Sequence, residues 1–367
     1  MSRVVLFGAY APSLIRFRAP LLRALVAAGH EVVAFADPEH GDRVRDQLRG
    51  LGVSWLPVPL DRNRIRPVRD LALVARLRGM LRELHPDRLI TYTLKPNVYG
   101  GWAARAEGVP SAAMITGLGS VFMGGGWRAR IAGSMLRRAC RHHQRIFLQN
   151  PEDRADLLRL GIIEDPSKVV MTAGSGVDLE EFPSRELPER PVFLMLARLL
   201  VAKGVRDYLE AAELVKAACP DAVLRIAGME DPGSGGVPMS LLREYEARGC
   251  IEYLGELEDV RPALAKCTTF VLPSYYGEGT PRSALEAMAV GRPIITTESR
   301  GCRETVPDGG NGILVPPRSP ERLAEAMIAL SRDAGLRGRM GRESRRLAET
   351  RFDADVVARD ILDALDL

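Results

Sequence analysis

Short apolar runs alternate with longer stretches of helical period along the whole chain, and this alternation limits the possible folds most. RVVLFGA, EVVAFA, RLITYT, SAAMIT and RIFLQN read as strands in the first half, and KVVMTA lies near the middle. VFLMLAR, AVLRIAG, IEYLG, TTFVLPS, RPIITTE and GILVPP read as strands in the second. Between them, PLLRALVAAGH, RDYLEAAELVKAACP and ERLAEAMIALSRD carry apolar residues at helical spacing. Strand–helix alternation predicts parallel sheets with helices on both faces. With 367 residues the chain holds enough units for two doubly wound α/β domains. The polar, proline-bearing stretch VDLEEFPSRELPERP at 177–191 is the expected linker. The expected division is a first domain over 1–175, a linker over 176–190 and a second domain over 191–349. FDADVVARDILDALDL, in the segment from about 350 to 367, is expected to be a helix returning to the first domain.

Composition narrows the class. The five cysteines, Cys140, Cys219, Cys250, Cys267 and Cys302, are scattered without CxxC or Cys/His spacing. A disulfide framework or a structural zinc site is not expected, and a reducing compartment fits. The N-terminal apolar run reads as a strand and not as a signal peptide, and nothing approaches the ~20 apolar residues of a membrane span. The net charge of +4 hides an asymmetry: residues 1–150 carry 23 Lys and Arg against 10 Asp and Glu. A basic first half suggests an anionic partner, either nucleic acid or an anionic membrane surface.

In open parallel sheets, ligands sit at the carboxyl ends of strands. GAYAPSLIRFR after the first strand is not GxGxxG, which disfavours a dehydrogenase-type dinucleotide site. Gly8 still permits close backbone approach, and Ser13 and Arg18 are candidates to touch an anion; an ordinary helix start explains the same residues. After VFLMLA come Arg198 and then Lys203, two cations suited to a diphosphate or, more simply, two solvated surface charges. After TTFVLPS comes YYGEGTPRSALEAMA. Thr280 is a good N-cap and Pro281 fits the first helical position. The N–H groups that follow would then form an anion pocket, with Glu286 available to ribose hydroxyls and Glu278 to a sugar. A plain capped surface helix is the alternative.

Taken together, the three sites resemble those of the retaining GT-B glycosyltransferases of family 4. The resemblance rests on ARLLVAKG at 197–204, EGTPRSALE at 278–286 and GCRETVPDGGNGILVPP at 301–317, and extends over nearly the whole chain. SGVDLEEF at 175–182 looks like the family's domain-junction segment. LRIAG at 224–228 and IEYLGEL at 251–257 look like its base pocket. The implied fold is two Rossmann-like domains facing a central cleft. The implied donor set is Gly8, Arg198, Lys203, Gly228, Leu254, Glu278, Gly279, Thr280, Pro281, Arg282, Ser283, Leu285 and Glu286. Of these, Arg198, Lys203 and Glu278 would act in catalysis. The cations and the helix start would do the work of a metal, so no metal or other cofactor is expected; Asp353 and Asp355 read as capping residues. The family retains anomeric configuration, and no glutamate nucleophile is assigned.

YTLKPNVYGGWAAR at 92–105 and ITGLGSVF at 115–122 are similar to a bacterial subgroup that adds sugars, often N-acetylated hexosamines, to undecaprenyl-diphosphate-linked saccharides. This implies a UDP-sugar donor and a lipid-diphosphate acceptor, with Ser13, Arg18, Lys95, Asn97, Thr116, Gly117 and Gly119 on the acceptor side. Lys95 is expected to contact a phosphate. Many members place a histidine after the strand that reads SAAMIT; here Thr116, Gly117, Leu118 and Gly119 stand there, and the five histidines lie elsewhere.

Two basic segments account for most of the charge: DRNRIRPVRD at 61–70 and WRARIAGSMLRRACRHHQR at 127–145. In the second, Ile131, Met135, Leu136 and Ala139 share a helical face, consistent with core packing or with an interfacial helix. Aromatics are only 5% of the chain and, Trp127 apart, none lies among these arginines, so nucleic acid is not expected. The expected location is cytoplasmic, peripheral on the inner face of the plasma membrane. A sugar-nucleotide epimerase or hydrolase of the same fold, and a non-catalytic regulatory protein, are the alternatives.

Overall fold

The computed structural model describes residues 1–39, 41–61, 66–119, 126–231, 233 and 235–367. The chain forms two compact units, Met1–Ser175 with Ala354–Leu367, and Gly176–Asp353.

Unit 1 is built on a seven-stranded parallel sheet in the order β3-β2-β1-β4-β5-β6-β7. The strands are β1 (Arg3–Phe7), β2 (Glu31–Ala36), β3 (Ser54–Pro57), β4 (Arg88–Tyr92), β5 (Ser111–Met114), β6 (Arg145–Leu148) and β7 (Val169–Met171). Successive side chains face opposite ways, so each strand feeds two cores. Val4, Leu6, Ile90 and Phe147 pack with helix α1 (Ala11–Ala27), helix α2 (Gly41–Gly50) and the final helix Ala354–Ala364. Val5, Phe7, Leu89 and Leu148 face helix α3 (Pro67–Leu84), helix α4 (Gly101–Glu107) and helix α5 (Gly126–Cys140). The final helix and the residue after it bury Val357, Ala358, Ile361, Leu362 and Leu365 in the core of unit 1. Each fully buried aliphatic side chain contributes about 1.5–3 kcal/mol, enough to hold such a short segment in place.

Unit 2 repeats the plan with six parallel strands, β10-β9-β8-β11-β12-β13. These are β8 (Val192–Leu196), β9 (Val223–Ala227), β10 (Glu252–Tyr253), β11 (Thr269–Leu272), β12 (Ile294–Thr297) and β13 (Gly312–Val315). Its helices include α7 (Val205–Ala218), α8 (Met239–Ala247), α9 (Arg261–Ala265), α10 (Arg282–Ala289), α11 (Pro320–Arg332) and α12 (Ala334–Arg351), while α6 (Pro151–Arg159) belongs to unit 1.

SWLP at 54–57 forms a further, edge strand; it is short and half-exposed, and alternation alone does not reveal it. Residues 176–190 are not a free linker but part of unit 2. The fully buried Arg292 guanidinium donates to the Glu186 carbonyl at 3.1 Å, and Arg345 donates to the Phe182 carbonyl at 3.1 Å. Val177 pairs with Asp353, and the crossover back to unit 1 falls at Ala354. Counted over the units, the charge asymmetry is milder: unit 1 holds 27 Lys and Arg against 19 Asp and Glu.

The apolar stripe of α5 divides. Leu136 and Ala139 are buried and Met135 is half-buried, whereas Ile131 is exposed beside the exposed Trp127. Among the described residues no helix is long and apolar enough to cross a membrane.

Candidate active site

The exit of β8 carries Arg198 and, one short 3-10 turn later, Lys203. Gly204 closes that turn with φ of 78°, and a Cβ on it would overlap the Pro273 carbonyl, so only glycine lets this turn lie against the end of β11. The close approach places Lys203 against the segment after β11. Lys203 forms an ion pair with Glu278, and Ser274 Oγ donates to the same carboxylate oxygen at 3.0 Å. Both charged side chains are mostly buried. Tyr276 lies beside the pair: its ring centroid is 5.0 Å from Lys203 Nζ and 5.8 Å from the Arg198 guanidinium carbon. Arg198 also donates to Asp231 at 3.2 Å, from the loop after β9. Two cations, a carboxylate and an aromatic face therefore converge at the carboxyl edge of the sheet, although Arg198 and Glu278 lie far apart in the chain.

Helix α10 begins at the same edge. Its cap position is Pro281 and not Thr280, and no side chain caps it; the proline's fixed φ suits the entry even one residue earlier than expected. Arg282, at the first helical position, donates to Glu286 at 3.0 Å and to the Gly176 carbonyl. The Glu286 carboxylate is thus held by its own helix at i,i+4 spacing and is mostly buried. Ser283 is half-buried, and Gly279 is covered by the 301–305 segment, where a Cβ on Gly301 would overlap the Glu278 and Gly279 carbonyls. Cys302 lies beneath; burial foremost, then the Glu278 charge, pushes its thiol up to about 12, so it is neutral and unreactive at ordinary pH. Leu285 is fully buried, so its side chain packs the core and does not face a ligand. Gly228 and Leu254 lie at the ends of β9 and β10: Tyr253 donates to the Gly228 carbonyl at 2.9 Å, and Leu254 N–H to Ile226 at 2.9 Å. A basic pair next to a helix start suits a diphosphate, and flanking carboxylates suit hydroxyls. Sequence reasoning missed Ser274, Tyr276 and Asp231.

Several residues of unit 1 are engaged within the unit itself. Asn97 is buried with both ends of its amide engaged: Thr91 Oγ1 donates to it at 2.8 Å and its amide donates to the Met114 carbonyl at 3.0 Å. It orders the backbone and does not face a ligand. Lys95 donates to the Asp61 carbonyl at 2.6 Å and pairs with Asp70 at 3.4 Å, so its charge is balanced inside the unit. Tyr99 donates to Asp70 at 2.8 Å. Ser13 is buried, within 2.8 Å of the Tyr92 hydroxyl, and Arg18 is buried against the Tyr92 ring at 4.9 Å. Gly8 is dictated by the same tyrosine, because a Cβ there would overlap the Tyr92 ring. Thr116, Gly117 and Gly119 lie partly exposed after β5. Residues 62–65 of the first basic segment, 120–122 of the ITGLGSVF motif and His40 lie outside the described residues.

His143 is fully buried, within 3.0 Å of Ser111 Oγ and 2.9 Å of the Asn97 carbonyl. Burial pulls it down to about 4, so it is a neutral packing element. Asp353 pairs with Val177 in a short β bridge, and Asp355 lies in the first turn of the final helix. Among the described residues no group of three or more His, Cys, Asp or Glu is placed to hold a metal ion.

Two parallel-sheet α/β units, the second with this cluster of cations and carboxylates at its carboxyl edge, define the class: a glycosyltransferase of the GT-B fold. The particular family follows from two domain models, a glycosyl transferase 4-like domain matched by residues 16–174 and a glycosyl transferases group 1 domain matched by residues 177–347. The chain belongs to the family-4 GT-B glycosyltransferases. It is 28% identical, over 96% of both chains, to the N,N'-diacetylbacillosaminyl-diphospho-undecaprenol alpha-1,3-N-acetylgalactosaminyltransferase of Campylobacter jejuni. Over 184 residues it is 32% identical to a putative colanic acid biosynthesis glycosyltransferase, WcaL, of Salmonella typhimurium, covering 47% of this chain and 45% of that one. Among solved structures, the sucrose-phosphate synthase of Thermosynechococcus elongatus superposes with a TM-score of 0.81 at 20% identity, covering 100% of this chain and 98% of that one. Anabaena Alr3699/HepE in complex with UDP gives 0.79 at 18% identity, with full coverage of both chains.

Proposed function

We propose that the chain transfers a sugar, an N-acetylhexosamine, from a UDP-sugar to a polyprenyl-diphosphate-linked saccharide with retention of configuration. The observation that carries this reading is the end-to-end similarity to the Campylobacter enzyme, joined to the Lys203–Glu278–Arg198 convergence. Arg198 and Lys203 hold the donor diphosphate and stabilise the charge that grows on it as the anomeric C–O bond breaks. Tyr276 lies beside both cations. Glu286, held by Arg282, accepts from the ribose, and Glu278 accepts from donor-sugar hydroxyls. The acceptor hydroxyl attacks from the face the diphosphate leaves, forming the new C–O bond, while its proton passes to the departing phosphate oxygen. The cations and the start of α10 supply the charge stabilisation, so no metal takes part.

A polyprenyl acceptor brings the enzyme to a membrane surface. Trp127 and Ile131 are exposed on α5 beside the exposed Arg130 and Arg138, and Val68 and Leu71 are exposed on α3, which packs on the same side of the sheet. Apolar side chains among arginines suit an anionic interface, each cation adding about 1 kcal/mol. The function is tested by incubating the protein with a panel of UDP-sugars, with and without undecaprenyl-diphosphate-linked saccharide, and following UDP and lipid product. Acceptor-dependent UDP release with an N-acetylhexosamine donor supports the reading; release that ignores the acceptor supports a hydrolase.

A further inference from the structure

The turn after β4 concentrates two unfavourable features on one residue. Thr93 has φ of 69°, in the left-handed region where a β-branched side chain crowds its own backbone. Its hydroxyl is buried yet has no hydrogen-bond partner among the described residues. Glycine at this position would remove both, so the turn's backbone conformation does not call for threonine.

The neighbours of Thr93 are all engaged. Thr91 bonds Asn97, Tyr92 bonds Ser13, Lys95 pairs with Asp70, and the Asn97 N–H donates to the Thr93 carbonyl at 3.0 Å. The location is also distinctive. In unit 1 the chain leaves β1 toward β2 on one side and β4 toward β5 on the other. The exits of β1 and β4 therefore flank the topological switch point, where doubly wound sheets take their ligands. Directly after the turn, Pro96–Gly100 runs as a π-helix, a rare form that is frequent at functional sites.

We propose that Thr93 is a specificity-determining contact for the sugar-diphosphate head group of the acceptor, its hydroxyl bonding a head-group oxygen. The inference rests on the reading of unit 1 as the acceptor-binding half. Thr93 is partly exposed as a residue, and a single χ1 step between staggered wells re-aims the hydroxyl. Strain and the orphan hydroxyl then mark a turn that ligand binding completes.

The test uses Thr93→Val, which keeps the shape and removes the hydroxyl, Thr93→Gly, which also removes the strain, and Thr93→Ser, which keeps the hydroxyl. Binding of a synthetic undecaprenyl-diphosphate-linked N-acetylhexosamine in detergent is measured without donor, and KM for acceptor and for UDP-sugar is measured in turnover. The expected result is a roughly three- to tenfold loss of acceptor affinity in Val and Gly, as for one lost hydrogen bond. Thr93→Ser stays near wild type, the UDP-sugar KM is unchanged, and Tm is equal or higher in Gly. A role in packing alone would lower Tm and leave the two KM values together. Acceptor affinity of Thr93→Val within twofold of a wild type that binds and turns over overturns the inference alone. A wild type that does not bind the acceptor overturns it together with the reading on which it rests.

Discussion

Lys203 and Glu278 are ion-paired across 75 positions of sequence, with the Ser274 hydroxyl on the same carboxylate oxygen. The cation proposed for the donor diphosphate and the carboxylate proposed for the donor sugar thus hold each other in place. Both side chains are mostly buried, so removing either leaves its partner's charge poorly compensated.

This pairing predicts coupled losses. Glu278→Gln and Lys203→Ala should each lower kcat by about 10²–10³, the scale for losing one preorganised electrostatic group. The double variant should lose much less than the product of the two, because the residues act as a unit. Kinetics of the three variants under one set of conditions check this; multiplicative losses would contradict it.

Arg282 and Glu286 predict a different signature. Glu286→Gln keeps shape but gives up a charged acceptor, so the UDP-sugar KM should rise about tenfold, the ~1.5 kcal/mol of one charge-assisted hydrogen bond. The acceptor KM should not move. A change confined to the acceptor side would refute the assignment of Glu286 to the ribose.

His143 predicts a pH dependence of stability. Its folded value of about 4 lies below its ordinary 6.5, so the unfolded chain binds a proton that the folded chain refuses. The contribution is complete above about 6.5 and is lost as pH falls toward 4, amounting to roughly 3 kcal/mol over the interval. Urea midpoints of wild type should fall across that window, and His143→Gln should fall less steeply.

Gly8 separates space from ligand contact. Because the Tyr92 ring fills the place of a Cβ, Gly8→Ala should destabilise the protein by about 1–3 kcal/mol, as overpacking does. A lowered urea midpoint is the expected result. Unchanged stability with weakened donor binding would instead favour a ligand role.

Much of the candidate site was legible. The EGTPRSALE stretch combines a turn, a proline entry, one acid before the helix and one within it, and these are local facts. The pairing of Lys203 with Glu278 depends on Gly204 pressed against Pro273, a long-range packing event that spacing cannot show. Asp231 and Tyr276 were invisible for the same reason. In unit 1, Lys95 and Asn97 looked like exposed polar residues at a strand end. Asp61, Asp70, Thr91 and Met114, all distant in sequence except Thr91, supply partners that turn both inward. The 176–190 stretch has a linker's composition, but Arg292 and Arg345 bind its carbonyls, and a guanidinium's reach is not written in the segment itself.

The most direct measurement of the central claim is UDP release from UDP-N-acetylhexosamines by the wild-type protein, with and without an undecaprenyl-diphosphate-linked saccharide, in buffer containing EDTA. The account predicts release that requires the acceptor, one added sugar on the lipid product with the donor's anomeric configuration, and no loss on chelation. Release independent of the acceptor, an inverted linkage, or activity abolished by EDTA and restored by a divalent metal would contradict it.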